Sequence, residues 1–175
     1  MLQVQTARLT LLACPAHLAR AAHRGRQHLE ALLGARVHED WPTPEIHGFL
    51  PIYARQIEAA PGLLGWGIWM IVHTGDRQVV GDVGFKGRPD AHGSVDIGYG
   101  IVPAYRQQGY GFEAAAGLRD WAFEQSGVQR LTADCWPHNT ASARILEKLG
   151  MRRVGVSAVG LLLWELRREQ LQSWR

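Results

Sequence analysis

The sequence is poor in cysteine and has no long hydrophobic run. Two cysteines, Cys14 and Cys135, occur in 175 residues, which is too few for a disulfide framework and indicates a reducing compartment. The longest apolar stretches, 63–72 and 154–166, contain Gly or Ser and are too short to cross a bilayer. Polar residues and Pro15 interrupt any signal-peptide core near the start. We therefore expect a cytoplasmic protein with no membrane partner.

Lysine is also scarce, since 17 of the 19 basic residues are arginine. Against 16 acidic residues the net charge is +3, too small an excess to indicate nucleic-acid binding. An arginine stripe at Arg20, Arg24 and Arg26 leaves an RNA- or ribosome-binding alternative, which predicts a steep salt dependence. The acidic segment 38–58 argues against it, so we expect no nucleic-acid partner. The 8 histidines show no metal-ligand spacing, and we expect no metal.

The composition is that of an ordinary globular domain, with 46% hydrophobic and 20% charged residues. The length favours one domain spanning residues 1–175. Hydrophobic periodicity predicts the order β, α, α, β, β, β, α, β, α, β, β, which is an α/β domain with a mixed sheet. In this order the first helix is one continuous segment from Leu18 to Leu33, closed by Gly34.

One glycine-rich segment, between a strand and a helix, carries a chemical signal: Arg106-Gln107-Gln108-Gly109-Tyr110-Gly111. Glycines allow a ligand to approach the backbone closely, and the unpaired N–H groups of a helix start attract phosphate. A glycine-rich turn that binds nothing is the alternative. No Walker Gly-Lys-Ser/Thr follows, and the order of elements does not suit a dinucleotide fingerprint.

Two motifs in sequence resemble the GCN5-related N-acetyltransferase (GNAT) family. The first is Ile97-Gly98-Tyr99-Gly100-Ile101-Val102-Pro103 followed by Arg106-x-x-Gly109-x-Gly111, which is similar to the family's acetyl-CoA-binding core. The second is Asn139-Thr140-Ala141-Ser142-Ala143-Arg144 with Glu147-Lys148-Leu149-Gly150-Met151, which resembles the ribosomal-protein N-terminal acetyltransferase-like (RimJ/RimL-type) branch. Met151 stands where Phe is commonest.

The resemblance implies a single-domain GNAT-like α/β fold. Its mixed, mostly antiparallel sheet would have splayed central parallel strands and flanking helices. Acetyl-CoA is the implied co-substrate. The pantetheine arm would pair with the end of a central strand, and the pyrophosphate would lie on the glycine-rich segment. The implied contacts are Ile101, Val102, Arg106, Gln107, Gln108, Gly109, Tyr110, Gly111, Asn139 and Arg144. A solvated helix face explains Arg144 and Lys148 equally well.

Transfer in this family is direct, so a nucleophilic role for Cys135 is not expected. The leading candidate for the general base is Asp96, on the same strand face as Gly98 and Gly100, which leave space beside it. A solvent-facing carboxylate is the alternative reading of Asp96. Three further candidates are weaker: Asp82, Asp134 and His73.

Two residues of the second motif have implied catalytic roles. Asn139 can cap its helix, and by resemblance it also contacts the cofactor or orders the site. Ser142 matches a position that can protonate the departing CoA thiolate, although a small residue that allows close helix packing explains it as well. By analogy the acceptor site lies between the N-terminal helices and a β-hairpin. Its acidic, aromatic rim would be Glu39, Asp40, Trp41 and Glu45, and either Trp66 or Trp69 would line the groove.

The sequence therefore predicts an acetyl-CoA-dependent N-acetyltransferase that acts on a primary amine, either a protein N-terminus or a small amine. The alternative is a catalytically weak acyl-CoA-binding sensor or interaction module on the same fold. A monomer and a homodimer are both compatible with the sequence.

Overall fold

A nine-stranded sheet forms the centre of the computed structural model, which describes residues 1–171. The strands are β1 (Gln3–Gln5), β2 (Leu9–Ala13), β3 (Arg36–Val37), β4 (Ile68–His73), β5 (Gln78–Phe85), β6 (Ser94–Ile101), β7 (Arg130–Cys135), β8 (Arg152–Val156) and β9 (Leu162–Arg167). The helices are α1 (Ala16–Arg24), α2 (Arg26–Leu33), α3 (Pro44–Ala59), α4 (Tyr110–Glu124), α5 (Thr140–Lys148) and α6 (Arg168–Leu171).

The strands are ordered β1-β2-β4-β5-β6-β7-β9-β8, and β3 pairs with the start of β5. All pairs are antiparallel except β6 with β7 and the short β3 with β5. The β6–β7 ladder runs from Ser94 opposite Arg130 to Asp96 opposite Thr132, and the two strands diverge beyond it. The predicted mixed, mostly antiparallel sheet with splayed parallel strands is confirmed.

Alternating side chains explain the sheet's two faces. In β2, Leu9, Leu11 and Ala13 are buried and alternate with half-buried residues, which is the period-2 pattern of a strand with one face in the core. The same pattern in β7 buries Leu131 and Cys135. Helix α4 packs on β1, β2, β5 and β6, and α1 packs on α3.

The first predicted helix is wrong in one respect, because the structure divides it into α1 and α2. Gly25 lies between them with φ +132°, a conformation that L side chains rarely adopt. The Gly25 N–H donates to Ala21 O, so Gly25 caps the C-terminal end of α1. Hydrophobic spacing continued through Gly25, so periodicity alone did not reveal the break.

In residues 1–171, none of the helices combines the length and the apolar composition that crossing a bilayer requires. Helix α3 is the longest, and it starts where Thr43 Oγ1 accepts a hydrogen bond from Ile46 N at 3.4 Å. Pro44 follows at the first helical position, where a missing N–H has no cost.

Candidate active site

The glycine-rich segment forms the turn at the start of α4. Gln107 and Gly109 both have left-handed backbones, with φ 61° and 86°. Left-handed residues in a turn can direct successive backbone N–H groups to one side, an arrangement known to bind anions. Within residues 1–171, the N–H groups from Gln107 to Phe112 donate to no protein acceptor. The predicted pyrophosphate position is therefore physically suited to an anion.

The N-terminal segment holds this turn in place, which the sequence analysis did not foresee. Glu113, in the first turn of α4, accepts hydrogen bonds from Thr6 Oγ1 at 2.6 Å and from Arg8 N and Nε at 2.7 Å each. Arg8 Nη1 also donates to Gln108 O at 3.0 Å, and its guanidinium lies 4.3 Å from the centre of the Tyr110 ring. The hydrogen bonds and the Arg8 ion pair hold the pKa of the Glu113 carboxyl below its usual value against the opposing effect of burial.

A cavity of about 900 Å³ extends from this turn to α5. Most of the predicted cofactor residues line it: Ile101, Arg106, Gln107, Gly109, Tyr110, Gly111, Asn139 and Arg144. Val102 and Gln108 lie outside the lining, and Lys148 is part of it. A Cβ at Gly111 would come within 3.1 Å of Ile145 Cδ1, so glycine keeps this cavity open where α4 meets α5.

The diverging edge of β6 faces the same cavity. Alternate residues of a strand direct their N–H and C=O groups to opposite edges. Val102 N donates to Val80 O on the β5 side, so Ile97, Tyr99 and Ile101 direct theirs toward the gap left by β7. Ile101 O already accepts from Arg106 Nε at 2.8 Å. Pairing of a pantetheine arm with Ile101 is compatible with this edge, whereas the Val102 N–H is used within the sheet.

Asn139 and Ser142 lie together at the start of α5. Asn139 Oδ1 accepts from Ser142 N at 3.1 Å, which is the predicted helix cap. Ser142 Oγ lies 3.0 Å from Tyr99 Oη. Burial raises the pKa of Tyr99 to about 12, and this keeps the phenol protonated. The sequence does not predict this contact, because Ser142 lies 43 residues beyond Tyr99 along the chain.

Asp96, the predicted general base, is engaged in an ion pair. Its Oδ1 lies 2.8 Å from Lys86 Nζ, and its Oδ2 accepts from Thr132 Oγ1 at 3.1 Å. Lys86 also contacts Asp134 at 2.8 Å. Gly98 and Gly100 do leave open space on this strand face, as expected. The catalytic role of Asp96 stays a prediction.

A second cavity, of about 760 Å³, lies between α3 and the strands β5 and β6. Its lining includes charged residues, aromatic residues and two glycines of β6. They are Glu45, Asp82 and Lys86, then Phe49, Tyr53, Trp66, Phe85 and Tyr99, and Gly98 and Gly100. Tyr99 and Gly100 line the first cavity as well. The two cavities therefore meet near the C-terminal end of β6, beyond its ladder with β7.

Asp82 is the acidic side chain that β5 directs into the second cavity. Its Oδ2 accepts a hydrogen bond from the buried Trp41 indole at 2.8 Å. Burial raises the pKa of Asp82 to about 6, and the Trp41 hydrogen bond partly opposes that rise. The carboxylate can therefore take up a proton near neutral pH, which suits a proton acceptor.

The acidic rim expected around the acceptor is present only in part. Glu45 lines the second cavity, whereas Glu39 and Asp40 are exposed outside it, and Trp41 is buried beneath it against Asp82. Trp66 lines the cavity. Trp69, by contrast, is buried in the core, and its indole donates to Gly65 O.

The remaining candidate base, His73, belongs to a different network. Its Nδ1 lies 2.9 Å from Asp76 Oδ2 and its Nε2 lies 3.0 Å from Tyr110 Oη. Tyr105 also donates to Asp76, at 2.6 Å. This network supports the turn at the start of α4 from the β4–β5 hairpin. In the described part of the chain, no His, Cys, Asp or Glu cluster of three or more could hold a metal ion.

Comparison of the sequence with those of known proteins identifies its family. The profile described as "Acetyltransferase (GNAT) domain" matches residues 9–152. The chain is 33% identical over 150 residues to the uncharacterized N-acetyltransferase YjdG of Bacillus subtilis (strain 168). This aligned region covers 86% of this chain and 89% of YjdG.

Solved structures show the same fold. The ribosomal-protein-S5-alanine acetyltransferase from Vibrio fischeri superposes with a TM-score of 0.69 at 16% identity, over 97% of this chain and 98% of that one. A RimL ribosomal L7/L12 alpha-N-protein acetyltransferase in complex with coenzyme A superposes with a TM-score of 0.69 at 15% identity, over 95% and 98%. At these identities the likeness concerns the fold. From the family profile and the similarity to YjdG, the chain belongs to the GNAT acetyltransferase family and is an acyltransferase.

Proposed function

We propose that the chain transfers the acetyl group of acetyl-CoA directly to a primary amine, either a protein N-terminus or a small amine. The observation that carries this proposal is the junction of two cavities at Tyr99 and Gly100. One cavity has the anion-binding turn at its far end, and the other has a carboxylate and an apolar lining. Two such cavities can bring a thioester and an amine together from opposite sides of β6.

The residues of the first cavity fit the co-substrate that GNAT acetyltransferases use. The backbone N–H groups from Gln107 to Gly111 would hold the pyrophosphate. Arg106, Arg144 and Lys148 line the same cavity and would add positive charge beside the phosphates. Acetyl-CoA, when bound, supplies the thioester carbonyl that the amine attacks.

Ser142 and Tyr99 would assist the departing thiolate. The hydroxyl groups are 3.0 Å apart, so a proton given by Ser142 can be replaced from Tyr99. Asn139 orders this pair by capping α5 at Ser142 N. Asp96 remains the sequence-based candidate for the base, although Lys86 neutralises its charge. The burial of Cys135 in β7 supports direct transfer without an acyl-enzyme.

We also propose a location, a domain extent and an oligomeric state for the enzyme. Cys14 and Cys135 are free and buried, which is compatible with the expected cytoplasmic location. We retain one N-acetyltransferase domain over residues 1–175, acting as a monomer or a homodimer.

Calorimetric titration with acetyl-CoA tests the proposed co-substrate. We expect saturable binding at micromolar concentrations and a loss of at least about tenfold for Gly111→Asp, because the new carboxylate would oppose the phosphates and crowd Ile145. Gly127→Asp is the control, since a Cβ there meets nothing within 4 Å. Absence of binding at high micromolar acetyl-CoA would contradict the proposal. Release of CoA thiol with an amine then separates an enzyme from a binding module.

A further inference from the structure

The lining of the second cavity indicates which class of acceptor substrate it binds. We infer that Asp82 receives the acceptor's amino group and that the acceptor is a primary amine carried on an apolar body of about the size of an aromatic ring. This inference rests on the proposed acetyl transfer and names the substrate class for the same site.

Asp82 lies beside the junction of the two cavities. In the β5–β6 ladder it is directly opposite Gly100, and opposed residues of an antiparallel pair project to the same face about 5 Å apart. Gly100 lines both cavities. An amine held by the Asp82 carboxylate would therefore lie next to the point where the thioester enters.

One oxygen of Asp82 is already positioned by the protein. Trp41 Nε1 donates to Oδ2 at 2.8 Å and fixes the orientation of the carboxylate. In the part of the chain that the structure describes, Oδ1 has no protein hydrogen-bond donor. It is therefore available for the N–H of a substrate ammonium group.

The charge in this cavity favours a cation. Asp82 and Glu45 are its two acids. Lys86 is its basic residue, but its ammonium group lies 2.8 Å from both Asp96 and Asp134 and is neutralised by them. A substrate carboxylate or phosphate would find no available positive side chain among the described lining residues, whereas an ammonium group would find Asp82.

The remaining lining is apolar and leaves room above β6. Phe49, Trp66 and Phe85 supply aromatic surface. A Cβ added at Gly98 or at Gly100 would meet nothing within 4 Å, so these two positions leave open space for a ligand rather than for the core. A volume of about 760 Å³ is within the usual range for a small-molecule site.

The proton balance is complete with the groups present. The acceptor ammonium gives one proton to the Asp82 carboxylate, and its nitrogen forms the new N–C bond at the thioester carbonyl. The C–S bond breaks, and the thiolate takes a proton from the Ser142–Tyr99 pair. The nitrogen gives up its second proton, which re-protonates that pair through water, and Asp82 releases its own proton to the solvent. Overall, an ammonium ion and acetyl-CoA give an acetamide, CoA thiol and one proton.

The raised pKa of Asp82, about 6, supports this role because it brings the carboxylate closer to the pKa of an amine. The other titratable groups that face the cavity are Glu45, Tyr53, Lys86 and Tyr99. Burial raises the pKa of Tyr53 as well as that of Tyr99, so neither phenol ionises near neutral pH.

An amine panel tests the substrate class by CoA thiol release. The arms are 2-phenylethylamine, a peptide that begins with Phe, the same peptide beginning with Ser, and spermidine. We expect kcat/KM for phenylethylamine or for the Phe peptide to exceed the last two at least about tenfold, and the first two arms distinguish a small amine from a protein N-terminus. Higher turnover of spermidine or of the Ser peptide overturns the inference but keeps the proposed function. Turnover of spermidine or of the Ser peptide without turnover of either aromatic amine also overturns the inference alone, whereas binding of acetyl-CoA with no turnover of any amine, or no binding, overturns both.

Asp82→Asn tests the proton acceptor on the purified full chain. We expect kcat/KM for the best amine to fall by about 100-fold or more, with acetyl-CoA affinity unchanged as evidence of folding. Asp120→Asn, on the exposed side of α4, is the control and should stay within about threefold. If Asp96→Asn abolishes turnover while Asp82→Asn retains it, the assignment of Asp82 is wrong.

Gly98→Val tests the acceptor volume separately from the carboxylate. Valine suits a strand, and its Cβ would meet nothing within 4 Å there, so we expect the variant to fold and to bind acetyl-CoA normally. We expect the KM for phenylethylamine to rise at least about tenfold because the side chain fills the cavity. Gly155→Val in β8, where a Cβ also meets nothing within 4 Å, should behave like the wild type. An unchanged KM in Gly98→Val would overturn the placement of the acceptor.

Discussion

At the scale of single residues, two aspartates on neighbouring strands have different surroundings. Asp96 on β6 is paired with Lys86 and accepts from Thr132. Asp82 on β5 has one indole donor and faces a largely apolar cavity. Burial raises the pKa of Asp82 to about 6. The Asp96 carboxylate is occupied by protein partners, whereas Asp82 keeps one oxygen without a donor in the described residues, so we propose Asp82 as the proton acceptor.

Asp82 should also reduce the stability of the fold at neutral pH. Its pKa is about 6 in the folded chain and about 3.9 when unfolded. The folded state therefore binds the proton more tightly, and ionisation of Asp82 destabilises the fold. This destabilisation is absent below about pH 4 and complete above about pH 6. We expect Asp82→Asn to be more stable than the wild type by about 2–3 kcal/mol at pH 8 and close to it at pH 4, in urea unfolding. Equal stability at both pH values would contradict this.

At the scale of elements, the start of α4 depends on contacts with a segment about 100 residues earlier. Thr6 and Arg8 bind Glu113, and Arg8 also holds the Gln108 carbonyl in the anion-binding turn. Glycines alone make such a turn possible but leave it flexible. The hydrogen bonds to Glu113 and to the Gln108 carbonyl hold the turn in one conformation.

Glu113→Gln should therefore weaken acetyl-CoA binding without touching the ligand. The amide keeps one acceptor oxygen but loses the charge that binds Arg8, and we expect the Kd to rise about 5- to 20-fold and the stability to fall by about 1–3 kcal/mol. Calorimetry and urea unfolding measure the two effects. Glu124→Gln, at the exposed end of α4, is the matched control. Unchanged affinity in Glu113→Gln would show that the turn does not need this contact.

At the scale of the whole molecule, the sheet has two parts joined by a short parallel ladder. β1 to β6 form one part and β7 to β9 the other, and three residue pairs connect β6 to β7. Beyond that ladder, the first cavity separates β6 from α5. A ligand in this cavity would contact β6 on one side and α5 on the other.

Bound acetyl-CoA should consequently stabilise β6 and the turn at the start of α4 more than the rest of the sheet. Binding at 100 times Kd adds about 2.7 kcal/mol to the free energy of unfolding. Hydrogen exchange should slow most at Ile97, Tyr99 and Ile101 and in the turn from Gln107 to Gly111. The amides of β8 (Arg152–Val156), at the far edge of the sheet, serve as the internal control. Protection that is equal in β6 and β8 would contradict a ligand bound in the opening.

Charge is also organised at this scale. The net charge of +3 averages two opposite environments. Arg106, Arg144 and Lys148 line the first cavity, and Asp82 and Glu45 line the second. An anionic co-substrate and a cationic amine are thus attracted to different sides of β6.

The amino-acid sequence by itself determined the family, the order of the main elements and the anion-binding turn. These features are local, because strand alternation, helix periodicity and the spacing of Gly109 and Gly111 are properties of short segments. The break at Gly25 was missed because hydrophobic spacing continues through it. The tertiary structure alone decided which carboxylate faces the second cavity and what holds the turn. Asp82 meets Gly100 through the β5–β6 register, and Arg8 reaches Glu113 across 105 residues, since such contacts depend on how distant segments pack.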